Sequence, residues 1–572
     1  MNPEGIAAVL TENGYRVALA DGGKKLTVAI EAGEQALTLE HVFPDRLERL
    51  PSFSLRDPPP LGTLAHVVPD TNTALGSICV EDRDSVSINY DVPSAVYAES
   101  VSRHVRLLKR LIEDPEWNRA ELLREFHSHW AFLCDLVETV TPVIYFFGSG
   151  SQGTLQVKLP REKAGTGLTG NYLALPQEQA TDKAFETLRN AVSWHHRTTV
   201  GKAITLHLNE TEPAPGSPDG VIGWYLQALD HLDSASSEAL RRFRKHPGKE
   251  IWLLFSVDIA NGRAWVALQF QSKRKAKLPV KENDIAGWTV TPRVVKSLTK
   301  ETLVPRGGAY LDFQDRSVLL VGCGSIGSEI SHRLAASGIG ALTISDADLF
   351  GEENLYRHSL DIRDIGYPKC SAVALDIRLK CPWTTVEPWT KRLEELYDGQ
   401  LLKQFDLIVI AIGSPTVERA FHDFIQQSPI NLPIVNVWVE AYGIGGHATL
   451  DIPDAPGCLK CAYVDPESLG RGLASNLNFL QQNQDVTRAH AGCGDLFLPY
   501  SSVAASYTAT MAADIVIKNL LGQLTHSSKI SWKGSAEEAE RNGLTLTHRY
   551  HHFSQSMQIL PLLNEHCDVC AR

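Results

Sequence analysis

The sequence predicts a multi-domain α/β protein whose C-terminal part is built on a mostly parallel sheet. Two observations carry this. At 572 residues the chain has room for roughly three or four domains of ordinary size. In its last part, the strand-like runs RSVLLVG, ALTISD, DLIVIAI and PIVNVWV alternate with helical patterns, the order that places crossover helices on a parallel sheet.

The front of the chain has another texture. A helix candidate from Pro3 to Asn13 leads into RVALADGGKKLTVAIEAGEQALTLEHVF, alternating stretches joined by Gly-containing turns that predict short antiparallel strands. After DPPP (Asp57 to Pro60) and an SICV strand comes ESVSRHVRLLKRLIEDP, where Val101, Val105, Leu108 and Ile112 recur on one helical face. This α+β region covers residues 1–140. The next, 141–300, mixes FFGSGSQG, a Pro-rich TEPAPGSPDG and the strand candidates IWLLFSVDIA and RAWVALQF, and offers no catalytic constellation. His195 and His196, in a WHH run without other ligand types, stay unassigned. Residues 301–572 form the third domain.

Composition narrows the function classes. The 43% hydrophobic and 21% charged residues give no disorder signature, and no apolar run reaches the roughly 18 residues of a membrane span. The N-terminus has neither a basic nor an apolar leader segment, so a cytoplasmic location is expected. A net charge of -12 argues against a nucleic-acid partner. The basic stretches RRFRKHPGK and KRKAK are short and predict solvated surface.

Four of the ten cysteines fall in two close pairs: CLKC (Cys458, Cys461) and CDVC (Cys567, Cys570). Two such turns complete the tetrahedral thiolate shell of a structural Zn2+ ion, which would tie the C-terminus to a distant loop. Unrelated turns or a redox dithiol are the alternatives. Cys134, Cys323, Cys370 and Cys381 lie in helical, loop or turn patterns that packing explains.

The stretch VGCGSIG follows a strand and opens a helix. Gly322, Gly324 and Gly327 suit a tight bend, close backbone approach to a phosphate, and close helix packing. The helix N-terminus supplies N–H groups for an anion. None of this separates NAD from ATP. About twenty residues on, Asp346 ends the next strand, where a carboxylate can accept from ribose hydroxyls. Asn354, Arg357 and Lys369 then add one polar and two cationic groups beyond the needs of a dinucleotide. Such groups suit a triphosphate whose α-phosphate is attacked while charge develops on the departing pyrophosphate.

The pattern D-x-D-x5-N-L-x-R-[QH] followed by G-x-x-K resembles the Rossmann-like adenylation domain shared by the ThiF, MoeB and ubiquitin-activating (E1-like) families, from about Asp312 to the C-terminus. The resemblance implies ATP with Mg2+, Asp346 on the ribose, and Asn354, Arg357 and Lys369 on the phosphates. It also implies a homodimer. Where the family places a magnesium-binding Asp, this chain has Gly413 in VIAIGSPTVER, which leaves Asp348 or nearby groups for the ion.

Cys493 precedes the Ala-rich segment SSVAASYTATMAADIVIKNLLG in a Gly-flanked loop, a setting that suits a thiolate attacking an acyl-adenylate. Cys79, in HVVPDTNTALGSICVEDRD ahead of a Leu-rich helix, resembles the thioester cysteine of ubiquitin-conjugating (E2) enzymes, with His66 as a counterpart of the family's histidine. Together these features resemble the fused conjugating-activating proteins of bacterial defence islands, such as type II CBASS and related ubiquitin-like operons. That resemblance implies a domain order of E2-like, linker and E1-like. It implies as partners a modifier with a C-terminal carboxylate, a cGAS-like nucleotidyltransferase or ubiquitin-like protein, and a target amine. A sulfur-carrier adenylyltransferase, a nicotinamide oxidoreductase and a non-catalytic scaffold are the rival classes.

Overall fold

The computed structural model describes residues 2–70, 72–80, 87–138, 142–148, 154–159, 171–176, 186, 189–260, 262–463, 478–489, 496–564 and 567. The chain divides into two compact units, Met1–Ala180 with Val192–Thr302, and Thr181–Ala191 with Leu303–Arg572. No described helix is long and apolar enough to cross a membrane.

The first unit contains most of the span expected as the first two domains, 1–140 and 141–300, but Thr181–Ala191 groups with the second unit. Its opening helix, Pro3–Glu12, is capped by the Asn2 side chain, which accepts from the Gly5 N–H at 3.1 Å. A six-stranded antiparallel sheet follows, from Arg16–Ala20 to the strands Val67–Pro69 and Leu75–Ile78. Leu26, Val28 and Ile30 alternate inward along one strand, as a half-buried sheet requires. The helix Pro93–Glu113 closes this core with Tyr97, Val101, Leu108 and Leu111. Ile112 of the expected face sits partly buried at its margin.

Seven strands between Ile144 and Ser297 close into a barrel. The run IWLLFSV is apolar at every position but Ser256 because both faces of its strand, Gly248–Ile259, are covered. Trp252 and Leu254 join one cluster, while Ile251, Leu253, Phe255 and Val257 join another with the helices Val221–Asp230 and Ser234–Phe243. Phe126 and Trp130, on the helix Phe126–Val137, belong to that second cluster, and Trp130 Nε1 donates to the Arg293 carbonyl at 3.2 Å.

The second unit holds an eight-stranded mixed sheet. Thr385–Trp389, Ala341–Ser345, Ser317–Val321, Leu407–Ile410 and Ile434–Val439 pair in parallel in that order. Gly445–Asp451, Ser528–Lys533 and Met557–Pro561 then extend it antiparallel. The Leu407–Ile410 strand is buried at every position, which explains its unbroken apolar sequence. Helices Ser325–Ala336 and Ser502–Leu520 pack closely against each other, and the latter buries Ala504, Ala505, Ala509 and Ala512, whose small side chains permit that approach.

Candidate functional site

Parallel strands deliver their C-terminal ends to one edge of the sheet, and there the loops after Val321, Ser345, Ile410 and Val439 gather. They surround a cavity of about 430 Å³ whose wall includes Gly324, Ser325, Asn354, Arg357, Gly413 and Glu440. The glycines have separable roles. Gly322 has φ 90°, and a Cβ there would come within 2.7 Å of the Ala411 carbonyl oxygen. A Cβ on Gly327 would lie 1.8 Å from the Gly322 oxygen, so only hydrogen fits. At Gly324, the N-cap of the helix Ser325–Ala336, a Cβ would meet nothing within 4 Å. Gly322 and Gly327 are thus needed by the fold, whereas Gly324 opens the cavity wall.

Asp346 fastens this loop. One carboxylate oxygen accepts the Cys323 N–H at 2.6 Å and the other the Asp348 N–H at 2.8 Å. Asn354 uses its side-chain oxygen to accept the Gly351 N–H at 3.1 Å while lining the cavity. Arg357 donates to the Leu498 carbonyl at 3.3 Å, and its guanidinium lies 5.0 Å from the centre of the Tyr500 ring. Tyr500 in turn bonds through its hydroxyl to the Ser325 hydroxyl at 2.7 Å. Lys369 is placed differently. Its ammonium donates to Asp348 at 3.2 Å, and it is not among the described residues of the cavity wall.

Three site residues escape the sequence reading. His358 accepts the Leu360 N–H on Nδ1 at 3.2 Å, so its Nε2 carries the proton and donates to the Cys323 carbonyl at 2.6 Å. Burial holds its pKa down, in keeping with a neutral ring. The [QH] position of the motif was its only trace. Tyr500, the second, was marked by nothing beyond its place ahead of the Ala-rich segment. Glu440, the third, is fully buried. It accepts from His447 Nε2 at 2.7 Å and from the N–H groups of Asn478, Phe479 and Leu480 at 2.9 to 3.2 Å. Burial would raise its pKa, but the His447 bond leads the contacts that hold it below the usual carboxylate range. Burial pulls the His447 pKa down, so a neutral ring donates here, and removing Glu440 would strand that donor and three backbone N–H groups at about 1–3 kcal/mol each.

Gly413, at φ 65°, turns the chain into the helix Pro415–Gln427. Below it a line of buried side chains begins. Glu418 accepts the Ser414 N–H at 3.1 Å and an Asn436 amide N–H at 3.2 Å, and burial raises its pKa. The Asn436 oxygen faces His422 Nε2 at 2.7 Å, and His422 Nδ1 faces Asp451 at 3.1 Å. Asp451 also accepts the Leu459 N–H at 3.2 Å, next to Cys458.

Cys458, Cys461 and Cys567 are buried with their sulfurs all within 4.8 Å of one another. The Cys458 and Cys567 sulfurs stand 3.9 Å apart, close to the edge of about 3.8 Å that a ZnS4 tetrahedron with 2.3 Å bonds requires. The hydrogen bond from Cys458 brings Cys461 down to about 5, so this thiol is readily ionised. The donor set fits zinc. Cys570, the expected fourth ligand, lies outside the described residues, as does Cys493.

In the first unit, Cys79 is exposed just past the strand Leu75–Ile78, and its N–H donates to the His66 carbonyl at 2.9 Å. His66 is held at φ 60°, a left-handed conformation unusual for histidine. Its ring stands 2.7 Å from Glu125 and 3.2 Å from Glu121, and its N–H donates to Glu125 at 2.9 Å. Asn118 accepts the Ala65 N–H at 2.9 Å. Asn118 and Glu121, on the helix Pro115–Arg124, and Glu125, the residue that caps its end, together grip the loop that borders Cys79. The Glu125 bond raises the His66 pKa.

These features define a class. Residues 303–569 match the ThiF family model, and this part of the chain is a ThiF family domain. Among curated proteins, the chain is similar to the ATP-dependent ubiquitin transferase-like protein Cap2 of Escherichia coli, 25% identical over 231 residues, 38% of this chain and 38% of that protein. Cap2 of Pseudomonas aeruginosa is 24% identical over 257 residues, 44% of this chain and 45% of that protein. The adenylyltransferase and sulfurtransferase UBA4 of Yarrowia lipolytica is 28% identical over 169 residues, 29% of this chain and 42% of that protein. The chain therefore spans about two-fifths of the length of the curated relatives it matches.

Proposed function

We propose that the protein uses ATP to adenylate the C-terminal carboxylate of a protein modifier, carries the acyl group as a thioester on Cys493 and then Cys79, and conjugates it to a target amine. The observation that carries the first step is the convergence of Gly324, Asn354 and Arg357 on one cavity at a helix N-terminus. The N–H groups there and the Arg357 guanidinium suit the phosphates, and Asp346 keeps lone pairs for the ribose. In this reading Lys369 reaches the phosphates by leaving Asp348. Magnesium takes most of its ligands from phosphate and water, and Asp348, with its side chain 68% exposed, is the carboxylate we assign to it.

Beside the nucleotide cavity lies a second, of about 600 Å³, which shares Arg357 and Tyr500 with it and is also lined by Tyr442 and Phe497. It has room for the tail of the modifier. Adenylation makes the carboxylate a competent electrophile, and thioesters keep that activation through two exchanges. An E2-like role for residues 1–140 rests on exposed Cys79 and its gripped neighbour His66. The Cap2 relatives' name supports ubiquitin-like transfer, and the resemblance to defence-island fusions supports an antiphage role, with a cGAS-like nucleotidyltransferase or ubiquitin-like protein as modifier and a homodimer as the working form. The test is ATP–pyrophosphate exchange with the partner encoded beside it, followed by a non-reducing gel. Exchange together with a reductant-sensitive adduct that Cys493→Ala abolishes is expected. Neither exchange nor adduct would leave a non-catalytic scaffold, the reading that Gly413 favours.

A further inference from the structure

On the antiparallel side of the second unit lies a separate cavity of about 350 Å³. Lys529, on the strand Ser528–Lys533, and Arg549, on the short helix His548–His552, both line it, as do His548 and His552. Both cations donate to a single neutral atom, the Asn478 side-chain oxygen, Arg549 at 2.8 Å. Asn478 has no charge to offer, and its N–H is committed to Glu440. Among the described residues no carboxylate lines the cavity, and none lies within ion-pair distance of Lys529 or Arg549. Glu440 is the acidic group felt by Lys529, but its oxygens already accept from His447 and three backbone N–H groups. Burial first, then the neighbouring Arg549, pulls the Lys529 pKa down to about 7. Among the described residues, the two cations thus share a recess whose wall carries no carboxylate, only the Cys461 thiol, in a protein of net charge -12. Such a pair is unfavourable until an anion arrives.

We propose that this cavity is a binding site for a phosphate monoester, held by Lys529 and Arg549. Two cations on separate elements, with two imidazoles alongside, match a tetrahedral dianion better than a planar carboxylate, which the arginine fork alone would satisfy. The cavity is several times larger than a bare phosphate, and Leu560, Leu562 and Phe553 give it an apolar wall for the organic part of the ester. The site is separate from the nucleotide cavity, to which Asn478 joins it through Glu440, and does not rest on the adenylation reading.

Calorimetry on the full chain with phenyl phosphate, inorganic phosphate and benzoate tests it. Phenyl phosphate is expected to bind most tightly, phosphate more weakly and benzoate at least tenfold more weakly than phenyl phosphate. Arg549→Gln, at an exposed position, and Lys529→Met should each weaken phenyl phosphate at least tenfold, while Arg357→Ala leaves it unchanged. Binding that survives Arg549→Gln in folded protein, or is lost only with Arg357→Ala, overturns the proposal. Equal affinity for benzoate would make the site one for carboxylates and overturn it too.

Discussion

Replacing the loop glycines one at a time separates folding from ligand binding. Gly327→Ala drives a Cβ to within 1.8 Å of the Gly322 oxygen, a backbone atom that cannot step aside without moving the strand end. Overpacking of this kind costs typically about 1–3 kcal/mol, and a rigid backbone clash belongs at the upper end. At roughly 2–4 °C per kcal/mol for a domain of this size, the second unit should melt about 6–12 °C earlier. Gly324→Ala meets nothing within 4 Å, and exchanging glycine for alanine at an N-cap costs a few tenths of a kcal/mol. Its melting should stay within about 2 °C of the parent. A methyl group aimed into the cavity should nevertheless weaken ATP at least about tenfold, or 1.4 kcal/mol. Scanning calorimetry and ATP titration on both variants read the two effects. ATP affinity unchanged in folded Gly324→Ala would refute the assignment of this loop to phosphate.

The other predictions concern charge and metal. Because His66 titrates above its ordinary 6.5 in the fold, its contribution is full below that pH and is lost as pH rises through the raised value. Glu125 titrates below its ordinary 4.5, so its contribution is full above 4.5 and fades as pH falls. Melting of the first unit should therefore weaken on both sides of the window between them, and His66→Gln should remove the alkaline fall; an unaltered profile would count against the clamp. Cys458→Ser should lower zinc content from about one ion per chain, measured by elemental analysis. Retention of stoichiometric zinc would exclude that ligand. Asn436→Leu should destabilise the second unit by about 2–6 kcal/mol in denaturant titrations, since it strands two buried polar groups, Glu418 and His422, at about 1–3 kcal/mol each.

What could be read from the sequence was local or periodic. The parallel strands of the second unit announce themselves because burial on both faces makes them continuous apolar runs, as at Leu407–Ile410. Gly322 and Gly327 are legible because a strand-to-helix turn has few ways to be made. The barrel was not legible, because parallel pairings such as Lys202 with Ile251 and Ile144 with Val295 join segments far apart in the chain. The same distance hid the backbone partners of Glu440, which sit 38 to 40 residues away, and the partners of His422, which reaches both Asn436 and Asp451. Lys369 was placed on the phosphates by motif; its ion pair with Asp348 depends on how two loops fold and has no signature in spacing.

The change from parallel to antiparallel at Gly445–Asp451 fixes how far apart two chemistries stand. Gly446 pairs with Val439 at the cavity end, and Asp451 pairs with Ile434 at the other. Five steps of extended chain cover about 17 Å. Asp451 receives the N–H of Leu459, so the cysteine knuckle is anchored at that far end. No thiolate or bound ion there can touch a phosphate or an acyl group in the nucleotide cavity. Cys458, Cys461 and Cys567 draw the segment after Met557–Pro561 to the loop after Gly445–Asp451, and any influence they have on the nucleotide cavity must travel as geometry.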